Sequence, residues 1–228
     1  MFAPVNGTSK WGRSIARFIC RYGLGYFPVT LHVEQYEAFD PKRAYVFGYE
    51  PHSVVPLGAW ALTDLISCLP VPKMKILTTS AAFYVPFMRQ IWMWLGSVPA
   101  TRESFSSYLA DGYSCVVSPG GLRETLYMNP GSENNAYRWW NPNINLLTRI
   151  ATALKSLPVF YWGRFGTPIP YRSPMHVFVG KPILVEKKDQ PTTSEVNEVH
   201  GLFVTALHEL FEKNKAKAGY PDLHLQIM

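Results

Sequence analysis

Two side chains suited to acid–base chemistry, Glu50 and His52, follow directly on an apolar segment of the chain. Residues 44–47 are aromatic, β-branched or small, which is typical of a strand buried on both faces, and Gly48 and Pro51 end that segment. If the chain stays extended through Pro51, the two side chains project from the same side of the backbone. The carboxylate could then orient the imidazole for proton transfer. The alternative is that His52 caps a following helix while Glu50 faces solvent.

A second candidate site lies at the end of another predicted strand. Residues 114–118 favour a buried strand, and Pro119, Gly120 and Gly121 follow it at once. A turn of this composition either adopts positive φ or lets the backbone approach another group closely. Because α/β folds build their sites at strand ends, this turn and His52 are both well placed to contribute to one.

The elements that must position these groups alternate between strands and helices. This alternation predicts an α/β fold, with a mixed sheet flanked by helices, in a single domain spanning residues 1–228. The pattern predicts strands at 29–33, 44–47, 75–79, 114–118, 157–162 and 175–179, helices at 11–22, 54–69, 86–95 and 102–110, a loop at 131–149, and a last helix opened by a capping box of Thr192 and Glu195.

Length, composition and charge exclude several classes of protein. The 228 residues, 47% hydrophobic and 17% charged, suit a globular domain, and the net charge of +6 favours anionic partners. Such partners include phospholipid surfaces, nucleic acid and a polyphosphate cofactor, and the sign of the charge does not choose among them. Nucleic acid is the weaker interpretation, because the basic residues are scattered. The three cysteines lack CxxC spacing and are expected to be reduced, and no histidine spacing supports a metal site. Neither a signal peptide nor a membrane-spanning helix is expected, since the longest apolar stretch, 54–62, falls short of the roughly 20 residues needed to cross a bilayer.

The predicted helix over residues 11–22 is amphipathic, with a basic face. Its apolar face could pack on the domain or lie in a bilayer interface, and both alternatives stay open at this point. Gly23 and Gly25 are expected to end it. The apolar face consists of Trp11, Ile15, Phe18 and Tyr22, and the opposite face of Arg13, Arg17 and Arg21.

The stretch from Tyr45 to Gly58 reads Tyr-Val-Phe-Gly-Tyr-Glu-Pro-His-Ser over its first nine residues. It closely resembles the signature block of the type-2 diacylglycerol acyltransferases, in particular the plant-type members; animal members show His-Pro-His-Gly where this chain has 50–53. The resemblance covers most of the chain and implies a glycerol-phosphate-acyltransferase-like fold. Further matching stretches are 27–33, 38–41, 112–116, 119–121 with Glu124, 166–171, 174–183 and 199–201.

Two features depart from the family pattern. Family members carry a hydrophobic hairpin before the catalytic domain, and this chain starts after it. After residues 131–132 the family also carries a helix and an apolar strand, whereas here residues 133–138 lead almost directly to Trp139 and Trp140. A block of the usual domain is therefore expected to be missing near 133–138.

The resemblance implies that a diacylglycerol hydroxyl attacks the thioester carbonyl of a fatty acyl-CoA, giving triacylglycerol and free CoA. We expect His52 to be the general base for that hydroxyl and Glu50 to be its orienting group. The turn from Pro119 to Gly121, together with Glu124, is expected to bind substrate, because its backbone N–H groups could meet the developing oxyanion or the acceptor headgroup. The nearest downstream aspartate, Asp64, is expected to lie on a helix surface.

The expected partners are acyl-CoA, diacylglycerol and a membrane lipid surface, with no nucleic acid; a homo-oligomer is left open. No bound cofactor is expected, since acyl-CoA is a co-substrate. The expected location is the cytosolic face of the endoplasmic reticulum membrane, with lipid droplets as a second location.

The alternative function is a non-catalytic short form that keeps the membrane-facing surface. A serine hydrolase is disfavoured, because the chain has no G-x-S-x-G elbow. Basic groups available for CoA phosphates are Arg102, Arg123, Arg164, Arg172 and Lys181.

Overall fold

The computed structural model describes residues 9–51, 57–84, 86–120, 138–140, 160–167, 169–225 and 227. Short 3₁₀ segments lie between some of the helices and strands. The helices are α1 (Lys10–Tyr26), α2 (Met88–Trp94), α3 (Arg102–Ala110) and α4 (Thr193–Asn214). The strands are β1 (Val29–Val33), β2 (Val46–Gly48), β3 (Met74–Thr78), β4 (Ser97–Pro99), β5 (Ser114–Val117), β6 (Arg138–Trp140), β7 (Phe160–Trp162) and β8 (Met175–Val179).

Four strands form a parallel sheet in the order β2-β5-β3-β4. Its two inner strands are the most apolar, with Cys115 and Val116 of β5 and Met74 and Ile76 of β3 all buried, as expected for parallel strands covered on both faces. The α/β class predicted from the sequence is therefore confirmed. Among the described residues the predicted mixed sheet is not seen, because the antiparallel pair of β6 and β7 forms a separate two-stranded sheet.

Helix α1 docks through small residues rather than through its aromatic face. Gly12, Ala16 and Cys20, spaced four apart, are its buried residues, and Ala16 and Cys20 pack with Leu65 and Leu95 in one apolar cluster. Small side chains at this spacing let the helix axis approach its neighbours closely. The face with Trp11, Phe18 and Tyr22, which could have packed on the domain, is largely exposed.

The prediction that α1 ends at its two glycines was wrong. The helix continues to Tyr26, and the Phe27 N–H closes its last turn on the Gly23 carbonyl at 3.4 Å. Glycine lowers helix propensity by only about 1 kcal/mol and does not forbid the conformation. The guanidinium of Arg172 also donates to the Tyr26 carbonyl at 3.1 Å, which satisfies one of the unpaired carbonyls at the helix end.

Two other local predictions need correction. In the described part of the range 54–69, where a helix was expected, the chain forms a 3₁₀ segment, Leu57–Leu62, followed by turns. The Thr63 hydroxyl donates to the Trp60 carbonyl at 2.9 Å, and threonine competes with a regular helix through such bonds. The loop expected over 131–149 contains β6, because two tryptophans of high strand propensity find β7 as a partner. Three-residue β4 was not predicted at all.

The chain divides into two compact units, residues 1–29 with 40–175 and residues 30–39 with 176–228. The second unit contains most of β1 and β8, which pair, together with α4. Helix α4 begins with the predicted capping box: Thr192 accepts from the Glu195 N–H at 3.3 Å, and the Glu195 carboxylate accepts from the Thr192 N–H at 2.8 Å. The expectation of one acyltransferase domain over the whole chain stays a prediction.

Candidate active site

The two predicted strand ends lie side by side. In the parallel pair of β2 and β5, Gly48 is opposite Val117. The ladder continues one step further, since the Tyr49 N–H donates to the Val117 carbonyl at 2.8 Å and the Ser118 hydroxyl donates to the Tyr49 carbonyl at 2.9 Å. Because both strands run in the same direction, the segments that leave them start from adjacent points on the carboxyl edge of the sheet.

Glu50 lies just after the end of β2, and Pro119 lies just after the end of β5. Glu50 is half-buried, and the peptide bond that joins it to Pro51 is cis. Gly120, the next residue of the predicted turn, is exposed. The structure thus brings Glu50 and the start of the Pro-Gly turn to one place. His52, Gly121 and Glu124 lie outside the described residues, so their predicted roles stay predictions.

Ser118 is a residue of this edge that the sequence reasoning did not single out. Its hydroxyl joins the backbones of the two strands just before Glu50 and Pro119 begin. A polar residue directly after an apolar strand and immediately before a Pro-Gly sequence is the signal that could have identified it. The hydroxyl is already engaged with a main-chain carbonyl, and this bond links the two strand ends.

At the other side of the same carboxyl edge, the chain leaves β4 and enters the N-terminus of α3. Strand β4 runs into Thr101, whose hydroxyl accepts from the Ser104 N–H at 3.1 Å and caps α3, as predicted. Arg102 follows in the first turn of α3 and is exposed. Of the basic residues proposed for CoA phosphates, Arg102 is thus on the same edge as Glu50, whereas Arg172 is engaged with the end of α1.

Asp64 is not part of this edge. Its carboxylate pairs with the Arg13 guanidinium at 3.1 Å and lines a cavity with Met74 and Tyr113, which lie at the amino ends of β3 and β5. The sequence predicted a helix surface for Asp64, and this was wrong: the residue lies in a turn after the 3₁₀ segment, with its side chain 19% exposed.

The aromatic face of α1 is exposed and has basic neighbours. Trp11 is 68% exposed, and Phe18 and Tyr22 are each 62% exposed. Arg17 and Arg21 are also exposed on this helix. Large apolar side chains beside arginines are the composition of helices that lie at a lipid interface. Among the residues that the structure describes, no helix is long and apolar enough to span a bilayer.

The second unit has a histidine pair of its own. His32 Nε2 lies 3.2 Å from His176 Nδ1, and the His32 ring stacks on Phe178 with the ring centroids 4.6 Å apart. A neighbouring cavity of about 230 Å³ is lined by His32, Glu34 and Lys213 among others, with Glu34 and Lys213 joined in a 2.7 Å ion pair. Within the described ranges, no three His, Cys, Asp or Glu side chains converge as metal ligands.

A carboxylate and a glycine turn on neighbouring strand ends are suited to proton transfer and to the stabilisation of a developing oxyanion. These are the requirements of acyl transfer from a thioester to an alcohol. Comparison with known proteins identifies the class of the chain. The family model described as diacylglycerol acyltransferase matches residues 2–137 and 132–228, which together cover almost the whole chain, and the class is that of acyltransferases acting on glycerolipids.

The chain belongs to the diacylglycerol acyltransferase family, and its curated relatives include members of the type-2 branch. It is 29% identical to diacylglycerol O-acyltransferase 2 of Xenopus laevis over an alignment 262 positions long, gaps included, which covers 94% of this chain and 72% of the relative. The corresponding values are 28%, 94% and 77% for 2-acylglycerol O-acyltransferase 1 of Bos taurus, and 26%, 94% and 66% for human diacylglycerol O-acyltransferase 2. No solved structure gives a significant match, so the glycerol-phosphate-acyltransferase-like fold stays a prediction.

Proposed function

We propose that the chain transfers a fatty acyl group from acyl-CoA to the free hydroxyl of diacylglycerol, producing triacylglycerol and CoA. The observation that carries the proposal is the adjacency of Glu50 and the Pro119–Gly120 turn at the carboxyl ends of β2 and β5. The family membership and the names of the relatives support this substrate class. The location of these groups at the strand ends of a parallel sheet supports an active site at this place, independently of the family.

In the proposed reaction His52 removes the proton of the acceptor hydroxyl as the oxygen attacks the thioester carbonyl. The C–S bond then breaks, and the CoA thiolate takes up a proton. Glu50 holds the imidazole in the tautomer and orientation that this step needs. A positioned general base of this kind contributes about 10²- to 10⁴-fold to the rate.

The turn formed by Pro119, Gly120 and Gly121 supplies backbone N–H groups to the oxyanion that forms on the thioester carbonyl, and Glu124 contacts the acceptor. Glycines suit this role because a bare backbone lets a ligand approach closely. Ser118, bonded to the Tyr49 carbonyl, keeps the turn at a fixed distance from the strand that delivers Glu50.

The test is triacylglycerol formation from labelled oleoyl-CoA and diacylglycerol by microsomes of a yeast strain that lacks its own neutral-lipid acyltransferases. At matched protein levels, His52→Ala is expected to lower the rate about 10²- to 10⁴-fold. His208→Ala is the matched control, because His208 is exposed on α4. Wild-type activity that survives in His52→Ala would remove histidine from the proposed mechanism.

The aromatic face of α1 is the surface through which we propose that the enzyme meets the cytosolic face of the endoplasmic reticulum or a lipid droplet. Trp11, Phe18 and Tyr22 would enter the interface while the arginines contact lipid phosphates. We expect the triple replacement by Ser to weaken partition onto anionic vesicles by roughly ten- to a hundredfold, since each aromatic would bury only part of its surface. Vesicle flotation measures the effect, and Tyr36→Ser, at another exposed aromatic, is the control.

A catalytically impaired short form is the second candidate function. The specific observation behind it is that the family model matches in two segments that meet at 132–137, where a block of the usual domain is expected to be missing. A well-expressed, membrane-bound wild-type chain that makes no triacylglycerol in the yeast assay would favour this alternative. His52-dependent product would reject it.

A further inference from the structure

Three large apolar side chains are exposed in the connection from β3 to α2. Tyr84 is 80% exposed, Phe87 is 87% exposed and Met88, the first residue of α2, is 42% exposed. These three side chains form what we call the apolar tip. The connection starts at the carboxyl end of β3, and this is the edge of the parallel sheet at which Glu50 and Pro119 follow β2 and β5. The proposed acyl transfer gives the tip no role.

The backbone at Phe87 has a conformation that is unfavourable for a bulky residue. Its φ is 64° and its ψ is −46°, and the Met88 N–H donates to the Pro86 carbonyl at 2.7 Å. These values define the γ-turn with positive φ, which is rare and strained. Glycine adopts positive φ at no steric cost, whereas a phenylalanine at such a position is an outlier. The local fold alone would therefore favour glycine at position 87.

Phe87 also occupies the N-cap position of α2, where its side chain makes no capping hydrogen bond. The other helices in the described part of the chain begin at Ser9, Thr101 and Thr192, whose hydroxyls accept from N–H groups of the first turn. Phenylalanine thus provides neither the freedom of glycine nor the oxygen of a capping residue. Because strained backbone of this kind collects at functional sites, the exposed ring itself is the feature that needs a function.

The size and the charge of this region favour a lipid bilayer over a protein as the partner of the apolar tip. A large aromatic side chain buries about 150–250 Å². Three side chains of about that size fall short of the roughly 800 Å² per partner that a stable protein interface buries. Hydrocarbon, in contrast, needs no matching surface. Arg89 follows the tip directly, and Arg102 is exposed on the same edge of the sheet. Arginines beside apolar side chains suit anionic lipid headgroups.

We propose that the apolar tip inserts into the hydrocarbon of a lipid bilayer, with Phe87 entering it, and thereby turns the carboxyl edge of the sheet toward the membrane. The contact is separate from the aromatic face of α1, because it belongs to another element of the chain. Lipid insertion is measured without substrate, so it is tested independently of acyl transfer. One consequence rests on the proposed function: diacylglycerol, a lipid of the bilayer, would meet the candidate active site at this edge.

The first test measures flotation of the full chain with vesicles of phosphatidylcholine and phosphatidylserine, together with its Tm. Phe87→Gly is expected to lower the partition coefficient roughly tenfold, because the burial of the ring is lost. Its Tm should stay the same or rise, because glycine adopts a φ of 64° freely. A ring that served only the fold would give the opposite pair of results. Phe87→Leu should keep most of the partition, and Tyr36→Ser, at an exposed aromatic elsewhere, should not change it.

The second test locates position 87 in the bilayer with an environment-sensitive fluorophore attached to Phe87→Cys. The background is Cys68→Ser, since Cys68 is exposed whereas Cys20 and Cys115 are buried. Lipids brominated in their acyl chains are expected to quench this label but not one at Ser107→Cys, an exposed position of α3.

Three results would overturn the insertion of the tip. In the first, the label at position 87 escapes quenching on vesicle-bound protein. In the second, Phe87→Gly partitions as the wild type does, or the wild type does not bind the vesicles. In the third, the emission of the label shifts with protein concentration in the absence of lipid, which would assign the tip to a contact with a second copy of the chain.

Discussion

The two edges of the parallel sheet differ in what surrounds the strand ends. At the carboxyl edge, β2 and β5 run into Glu50 and a Pro-Gly turn, and a serine hydroxyl links their backbones. At the amino edge, the same sheet meets α1 and α2, where Trp94 is pressed against Gly12. The first edge places a carboxylate beside the start of a Pro-Gly turn, whereas the second holds the helices to the sheet. Changes at the carboxyl edge should therefore alter rate, and changes at the amino edge should alter stability.

Among changes to the described residues of the two edges, the largest effect is expected from Glu50→Gln, which keeps the side-chain size and removes the charge that would orient His52. We expect kcat for acyl transfer to fall by about ten- to a hundredfold, equivalent to roughly 1.4–2.7 kcal/mol in the barrier. The free energy of unfolding should change by less than about 1 kcal/mol, because the residue is only half-buried. Steady-state kinetics and urea unfolding of the same preparation measure both quantities.

Glu37→Gln provides the control for Glu50→Gln, since Glu37 is exposed in a 3₁₀ segment of the second unit. An unchanged kcat in Glu50→Gln would reduce the proposed site to His52 and the glycine turn. If Glu50→Gln lost much stability but kept a normal rate per folded molecule, the carboxyl edge would contribute to stability rather than to rate, contrary to the contrast drawn above.

At the amino edge, Gly12→Ala is expected to destabilise the fold by about 1–3 kcal/mol through overpacking. The added Cβ would lie 2.2 Å from Trp94 Nε1 and 2.4 Å from Cδ1 and Cε2, and the indole is already in contact with Trp11. Part of the cost is offset by the higher helix propensity of alanine, worth about 1 kcal/mol. Urea unfolding followed by tryptophan fluorescence measures the change.

Gly25→Ala is the matched control on the same helix, because nothing lies within 4 Å of the position that its Cβ would take. It should be neutral or stabilising by roughly 0.5–1 kcal/mol. If Gly12→Ala proves as stable as Gly25→Ala, then Trp94 moves aside at little cost and the amino edge is not held as tightly as its geometry indicates.

The sequence predicted the features that depend on local chemistry. Continuous apolar segments identified β3 and β5, and the hydroxyls of Thr101 and Thr192 marked the starts of α3 and α4. It did not predict β4, because a three-residue strand flanked by Gly96 carries too short a pattern to be recognised. Such a strand exists because β3 pairs with it, which is a tertiary effect.

The buried face of α1 was also beyond prediction from periodicity. The helical wheel favours the face with the large aromatics, but the face that packs carries Gly12, Ala16 and Cys20. The close approach of Gly12 to Trp94, rather than the hydrophobicity of the face, determines which face of α1 is buried. At the candidate site, the sequence identified Glu50 and the Pro119–Gly120 turn as strand-end groups. Their adjacency required the strand order, because β2 and β5 are far apart in sequence.

The smallest effect on kcat is expected at Ser118, whose hydroxyl links the end of β5 to the segment that carries Glu50. Ser118→Ala removes the hydrogen bond to the Tyr49 carbonyl and should cost about 1 kcal/mol, since a typical net hydrogen bond contributes that much. If the bond fixes the turn against the strand that carries Glu50, the loss should appear as a roughly fivefold lower kcat. Ser118→Thr retains a hydroxyl and should restore the rate, whereas Ser107→Ala, at an exposed serine of α3, should change nothing. A Ser118→Ala variant that loses stability but keeps its kcat would show that the hydroxyl supports the sheet alone, and the carboxyl edge would then resemble the amino edge at this position.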